Sequence, residues 1–263
     1  MNSAESWRFS KAIVRKPGPS FVDGITTSKL GPPIFKKALE QHEKYWRALE
    51  ACGLKVLSLE EDPRFPDSTF VEDVAVVTPY RAILCRPGAE SRRGEVAEIR
   101  PTLSGYFPAV DAITSPGMVD GGDICQAGTR FFIGLSRRTN EEGARQLTEL
   151  LKKDGYSASW VDIRSTKGLL HLKSGLNFLG DNRLAAAGML AGRKEIEGFE
   201  VVPVHPEESY TANCVRVNDH VLVAAGYPRF EASLRSLDYD VIPLDVSEFR
   251  KMDGGLSCLS LRF

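Results

Sequence analysis

Short apolar runs recur along this chain in pairs, each pair followed by a stretch of helical spacing and then by one more apolar run. The first full instance predicts strands over Phe70–Val77 and Ala82–Arg86 around a Pro79-Tyr80 turn, a helix over Gly94–Leu103 and a strand over Ala109–Ile113. The same order returns in Asp123–Gln126, Arg130–Leu135, a helix over Asn140–Lys153 and a strand over Ser159–Ile163, with Asn140 as N-cap and Gly155 ending the helix. A third copy runs through Leu176–Leu179, Arg183–Ala187, a weak short helix near Arg193–Glu197 and Glu200–Val204. The fourth comprises Asn213–Val217, an Asn218-Asp219 turn, His220–Ala224, a helix over Arg229–Leu237 and Asp240–Leu244.

The N-terminal part holds a strand (Ala12–Arg15), a long helix (Pro32–Cys52) and a strand (Leu54–Leu59), but no first hairpin partner. A terminal strand over Leu256–Leu261 would supply it, and chain ends that pair close a ring without exposed sheet edges. Five ββαβ units of roughly 50 residues then account for the length, as in repeat architectures. The pattern also fits an open α/β sheet with irregular hairpins. Nothing along the chain resembles a linker or a compositional break, so one domain over residues 1–263 is expected.

Composition narrows the function classes. A net charge of −1 provides no overall basic surface for nucleic acid. The N-terminus lacks a signal-like apolar stretch and no apolar run approaches the ~18 residues of a membrane span, so no membrane partner and a cytoplasmic location are expected. Five cysteines without a CxxC pair argue for a reducing compartment and against a disulfide framework or zinc knuckle. No residue pattern marks a dimer face, and a homodimer stays open.

Four places carry more polar chemistry than their local structure requires. Glu72 and Asp73 head an apolar strand after Asp67-Ser-Thr-Phe70, and as strand neighbours they would point to opposite faces. Asp120-Gly-Gly-Asp123 is again acidic at the mouth of a strand. His171 stands among leucines. Two arginine pairs, Arg92-Arg93 and Arg137-Arg138, precede or begin helices, where they are well placed to take a carboxylate. Each also fits a bland part: a solvated strand entry, a glycine turn, a hydrogen-bonded core histidine, solvated arginines. Near the chain end comes Asp253-Gly-Gly-Leu-Ser-Cys258, a thiol after a double glycine and a carboxylate. Cysteine and histidine are isolated and lack zinc-ligand spacing, and their order is the reverse of a papain-like protease. Carboxylates in excess suit a cationic substrate, and the arginines suit one that also carries a carboxylate; an amino acid with a basic side chain satisfies both.

Phe70-Val-Glu-Asp73, Arg86-Pro-Gly-Ala-Glu-Ser-Arg92-Arg, Asp120-Gly-Gly-Asp, Arg138-Thr-Asn, Leu170-His171-Leu-Lys and Asp253-Gly-Gly-Leu-Ser-Cys258 together resemble the dimethylarginine dimethylaminohydrolases, guanidine-modifying enzymes of the amidinotransferase, or pentein, superfamily. The likeness runs from about Ala12 to Phe263. It implies a five-bladed α/β propeller whose ring is closed by the C-terminal strand. The implied reaction is hydrolysis of asymmetric dimethylarginine or monomethylarginine to citrulline and an amine, through a covalent thiouronium on cysteine and with no metal or organic cofactor.

Carried over by motif, Cys258 would be the nucleophile, His171 the general acid and base, and Asp120 the carboxylate that orients His171. Bacterial relatives carry Glu at that last position, whereas Asp occurs in animal relatives. Asp73 and Asp253 would grip the guanidinium with Glu72 in support. Arg92 and Arg138 would take the α-carboxylate, and Asp67 with the Ile25 carbonyl the α-ammonium, while Phe70 walls the substrate's side chain. Val22–Leu30 matches the family's mobile lid, with Gly24 and Gly31 as hinges, and the other four cysteines are expected to pack. The alternatives are an arginine or agmatine deiminase, an amidinotransferase, or a non-catalytic propeller that binds partners.

Overall fold

The structure, a computed structural model, describes residues 6–263. It consists of five three-stranded sheets, each with one antiparallel and one parallel pairing. In chain order the elements are β1 (Lys11–Arg15), α1 (Phe35–Ala51) and β2 (Lys55–Leu59), then β3 (Ala75–Val77), β4 (Ala82–Leu84), α2 (Glu95–Ser104) and β5 (Val110–Ala112). There follow β6 (Ile124–Ala127), β7 (Arg130–Leu135), α3 (Glu141–Lys152) and β8 (Ser157–Asp162), and next β9 (Leu176–Gly180), β10 (Arg183–Ala187) and β11 (Glu200–Val204). The last elements are β12 (Val215–Val217), β13 (His220–Ala224), α4 (Pro228–Arg235), β14 (Asp240–Leu244), the short α5 (Ser247–Arg250) and β15 (Leu261–Arg262). β15 pairs antiparallel with β1, Ala12 opposite Arg262 and Ile13 opposite Leu261, so the chain end completes the first blade. The expected five-bladed α/β propeller is the architecture observed.

The middle strand of every blade is buried on both faces, which is why these strands read as unbroken apolar runs. Successive residues point to opposite faces and so feed two different cores. In β13, Val221 and Val223 pack toward the preceding blade and Leu222 and Ala224 toward the first. In β7, Phe131 and Ile133 face β4 while Phe132 faces β10. Five apolar clusters result, one in each seam between neighbouring blades. Cys52, Cys85, Cys125 and Cys214 are free thiols in these seams, as expected of packing residues.

Three expectations need correction. Phe70–Val77 is a strand only from Ala75; residues 71–74 form a 3-10 turn. The terminal segment is likewise a 3-10 turn over Ser257–Leu259 before the two-residue β15. Both segments are apolar enough for a strand, but burial of their polar neighbours forces a tight turn, as the site shows. The weak helix of the fourth blade is replaced by 3-10 turns over Gly188–Gly192 and Lys194–Ile196.

Leu261 is 4% exposed, lies in the seam between the first two blades and belongs to the closing strand. Leu261→Ala is expected to cost about 2–5 kcal/mol in equilibrium denaturation, since it removes transfer energy and leaves a cavity. A loss below about 1 kcal/mol would mean that ring closure contributes little to stability.

Candidate active site

In every blade a 3-10 turn precedes the strand that pairs antiparallel with the central one: Ser257–Leu259 before β15, Val71–Val74 before β3, Gly121–Asp123 before β6, Leu172–Ser174 before β9 and Pro206–Ala212 before β12. From Ser257–Leu259 through Val71–Val74, Gly121–Asp123 and Leu172–Ser174 to Pro206–Ala212, each turn touches the next. The fold therefore carries five short backbone segments to one place, and the residues that stood out in the sequence lie on or beside four of them. Ile25, Asp67, Phe70, Asp73, Arg92, Arg138, His171, Asp253 and Cys258 all line one pocket, joined by Leu170, Met252 and Gly254. Asp120 and Glu72 stand outside its wall.

Asp120 is wholly buried behind His171, and its Oδ2 lies 3.0 Å from His171 Nε2. The short aspartate arm reaches because the backbone N–H of Gly88 donates to Oδ1 at 2.8 Å and the Asp120 N–H donates to Thr139 Oγ1. A methyl group at Gly122 would lie 2.7 Å from His171 Nδ1 and 2.9 Å from Asp73 Oδ1, so the imidazole occupies space that any other residue would fill. Asp123, fully buried, accepts from Ser136 and Thr139 hydroxyls and from the Leu172 N–H, fixing the backbone next to His171. Burial pushes the Asp123 carboxyl up to about 6, partly offset by His171.

Asp73 is held from two sides: Arg92 Nη1 donates to Oδ2 at 2.5 Å and the Gly122 N–H to Oδ1 at 2.9 Å. Burial alone would raise its pKa, but His171 and Arg92 outweigh it and keep the group below the usual carboxylate range. Arg92 is itself buried, forked onto Glu95 through Nε and Nη2 and onto the carbonyls of Asp67 and Phe70. One Nη1 hydrogen is left without a protein acceptor among the described residues. Arg138 is freer, with Nη1 3.9 Å from Asp120 Oδ2.

Glu72 corrects an expectation. Its carboxylate turns away from the pocket, accepts from Ser257 Oγ at 2.8 Å, and pairs with Lys173 and Arg262 beside the propeller's axial channel. On a 3-10 turn, neighbours diverge much as they do on a strand, so Asp73 faces the pocket and Glu72 the channel. Glu72 thus holds the turn that carries Cys258 and does not line the pocket in which a guanidinium grip was expected of it.

Cys258 is 9% exposed, at the pocket wall. Burial, with Glu72 and Asp73 nearby, pushes its thiol up to about 12. His171 shifts the opposite way in charge: burial disfavours the imidazolium, but Asp73, the Asp120 hydrogen bond and Asp123 overcome this and raise it to about 9. At neutral pH the pair is therefore a neutral thiol beside an imidazolium. Asp73, Asp120 and His171 bring donor atoms within 4.8 Å of one another, but each carboxylate oxygen already accepts a hydrogen bond from the protein. The three form a hydrogen-bonded cluster in which the carboxylates favour a proton on His171.

Over the pocket lies the expected lid. Ile25 N–H donates to both oxygens of Asp67, and Thr27 reaches Asp253 Oδ2 through its N–H at 2.5 Å and its hydroxyl at 2.9 Å. Gly31, one expected hinge, has φ +83°, whereas Gly24 does not leave the ordinary region. About 30 Å³ remains beneath the lid, against about 600 Å³ in the outer basin that shares Leu170, Asp253 and Gly254. An amino acid with a long side chain enters only if the lid segment moves.

The model of the N,N-dimethylarginine dimethylhydrolase family, eukaryotic, matches residues 28–259. The chain is 49% identical over 256 residues to an N(G),N(G)-dimethylarginine dimethylaminohydrolase of Pseudomonas aeruginosa, covering 97% of this chain and 100% of that one. It is 33% identical over 253 residues to the Streptomyces coelicolor enzyme of the same name, covering 96% of each. The crystal structure of a Cys-to-Ser mutant of the Pseudomonas aeruginosa protein, complexed with citrulline, superposes with a TM-score of 0.94 at 48% identity over 97% of this chain and 100% of that chain. This chain belongs to the dimethylarginine dimethylaminohydrolase family.

Among dimethylarginine dimethylaminohydrolases, this chain's site has parts that residue-by-residue reading did not assign. Glu95, three residues after Arg92, closes the arginine's fork; the i,i+3 spacing at a helix start was its only signal. Asp123 was visible as the second acid of its motif, but its service to Leu172 was not. Lys173 and Ser257 lie within the family-like motifs but had no role there, and Asn213 lies in none of them, because their partners come from other blades.

Two expectations follow from the charge state. Neutral iodoacetamide is expected to alkylate Cys258 at a rate that climbs steadily from pH 7 to 10, because the thiolate is the reactive form. Cationic 2-chloroacetamidine will react at least about tenfold faster at pH 7, its charge favouring thiolate. Labelling followed by mass spectrometry reads both, and a neutral-reagent rate already level at pH 7 would refute a protonated resting thiol. Because His171 titrates above its unfolded value, its contribution to stability is complete below pH 6.5 and lost as pH rises through about 9. Urea denaturation across that window should show the stability gap between wild type and His171→Gln narrowing as pH rises.

Proposed function

We propose that this chain hydrolyses Nω-methylated arginines, asymmetric dimethylarginine and monomethylarginine, to citrulline and dimethylamine or methylamine, with Cys258 as nucleophile and His171 as acid and base. The observation that carries it is a buried thiol and an imidazolium in one pocket with Asp67, Asp73, Asp253 and Arg138, a wall suited to a dipolar amino acid with a cationic side chain. The citrulline complex of the close relative supports the same product class.

A guanidinium carbon is a weak electrophile because resonance spreads its charge, so it demands a strong nucleophile. The bound cation, gripped by Asp73 and by Asp253 once Thr27 releases it, favours ionisation of Cys258, whose proton passes to solvent. Sγ attacks the guanidinium carbon to form a tetrahedral adduct. His171 then gives its proton to the departing amine and leaves an S-alkylthiouronium on Cys258. The neutral imidazole next takes a proton from water; the hydroxide adds to the same carbon, the C–S bond breaks, the adduct's hydroxyl proton passes to the departing sulfur, and citrulline leaves with Cys258 again a thiol and His171 again an imidazolium. Asp120 holds the ring through Nε2 in both half-reactions. Arg138, with the remaining hydrogen of Arg92, takes the α-carboxylate, and Asp67 with Ile25 the α-ammonium, while Phe70 flanks the alkyl chain. No step calls for a metal or organic cofactor.

All five blades act as one catalytic domain on a small molecule, and the free cysteines suit a reducing cytoplasm. No helix among the described residues is long and apolar enough to cross a membrane.

The test is citrulline and dimethylamine release from asymmetric dimethylarginine, with arginine and agmatine in parallel. Wild type should release both products, and Cys258→Ser neither, while that variant still binds substrate. Full activity in Cys258→Ser, or turnover confined to unmethylated arginine, would overturn the reading. His171→Gly should accumulate adduct on Cys258 with an activated analogue such as S-methylthiocitrulline and turn over at least about 10²-fold more slowly. Mass spectrometry finding no adduct would remove His171 from the second half-reaction alone.

A further inference from the structure

Four of the five turns at the pocket contribute residues to the reaction above; the fifth blade's turn, Pro206–Ala212, supplies none. At its end stands Asn213, 6% exposed, and every hydrogen-bonding atom of its amide is engaged. Oδ1 accepts from the backbone N–H of Ser257 at 2.9 Å, Nδ2 donates to Ser257 Oγ at 3.0 Å, and Nδ2 donates also to the carbonyl of Lys173 at 3.0 Å. Ser257 immediately precedes Cys258, and Lys173 lies two residues after His171, inside the turn that follows it. Ser257 has no polar atom to spare: its hydroxyl donates to Glu72 at 2.8 Å and its carbonyl accepts from Arg262 Nη1 at 3.3 Å. A methyl group at Gly255 would lie 2.5 Å from Asn213 Oδ1 and 2.6 Å from Cγ. The second glycine before the thiol is thus the space through which this amide reaches the nucleophile's turn.

We infer that Asn213 is a positioning residue for the thiol chemistry, a single amide that sets Cys258 in register with His171. The inference rests on Cys258 being the nucleophile. One planar group spans both turns, so a displacement of one is transmitted to the other, and misplacement on the order of 1 Å costs on the order of 10²-fold in rate. Asn177 provides the internal control. It is equally buried and donates to the same Lys173 carbonyl at 2.7 Å and to Ala212 O at 2.7 Å, but it does not touch the nucleophile's turn.

The experiment compares Asn213→Ala, Asn213→Asp and Asn177→Ala by kcat, KM, thermal midpoint and the pH-rate profile of Cys258 labelling by 2-chloroacetamidine. Asn213→Ala should lose on the order of 10²-fold in kcat with KM within about threefold, and label Cys258 more slowly at every pH from 6 to 10. Asn177→Ala should lower the midpoint comparably and label within about threefold of wild type. Asn213→Asp keeps the shape and one acceptor and loses both donations; it should label slowly too, and it decides the matter if Asn213→Ala does not fold. Wild-type labelling and turnover in either Asn213 variant would overturn the inference, as would an equal labelling loss in Asn177→Ala. Wild-type protein that labels no faster than Cys258→Ala would instead strike the nucleophile assignment itself.

Discussion

His171 can stay protonated inside this protein only because Asp73 and Asp120 lie beside it, and those carboxylates can be buried only because other groups hold them. Removing one charge from water costs several kcal/mol, and a partner repays it only with good geometry and satisfied lone pairs. The chain meets that condition by extension. Arg92 answers Asp73, Glu95 answers Arg92, and backbone N–H groups of Gly88 and Gly122 take the oxygens left over. Deleting any member leaves its neighbour as an uncompensated buried charge, so the cluster functions as a unit and single-residue effects within it will not add.

The propeller makes such a cluster feasible. A ring of five blades leaves only short edge strands, and its strands alternate so regularly that each seam fills with aliphatic side chains from two blades. That apolar bulk contributes the stability against which strained and charged parts can be set. The tight turns that enter each blade's first strand are where the backbone departs from the regular ladder, and their meeting point is the pocket. Asp253 shows the same tendency, with φ +57°, a conformation that a non-glycine residue rarely adopts.

Repeats, strand order and ring closure were legible in the chain because they follow from local periodicity: the alternation of Val221, Leu222, Val223 and Ala224 needs only a strand buried on both faces. The weakness of the fourth helix was legible for the same reason. What periodicity could not show was the conformation of Val71–Val74 and Ser257–Leu259, whose apolar content reads as strand while tertiary burial of Glu72, Asp73 and Cys258 imposes a turn. The pocket residues were visible as residue types out of place in apolar surroundings, and motif resemblance gave them roles. Glu72 was expected to face away from Asp73, as it does, but its expected support of the guanidinium gives way to contacts with Ser257, Lys173 and Arg262 that adjacency to Asp73 could not show. The roles of Asn213 and Lys173 were invisible, because an amide or ammonium signals function only once its partners from other blades are known.

A thiol pushed up to about 12 looks ill suited to nucleophilic work at neutral pH. It is better understood as a gate on charge. One unit charge about 4 Å away, at an effective dielectric near 20, is worth about 4 kcal/mol, roughly a thousandfold in the thiolate fraction. In the proposed seat against Asp73 a guanidinium would supply that charge and a neutral urea such as citrulline would not, so the product would lose the interaction that activated its own formation. The same cation disfavours the imidazolium of His171 and eases transfer of its proton to the departing amine. In the proposed mechanism acid and nucleophile are thus both moved toward their working states by the substrate, whereas small molecules without a cationic group meet a thiol that stays protonated.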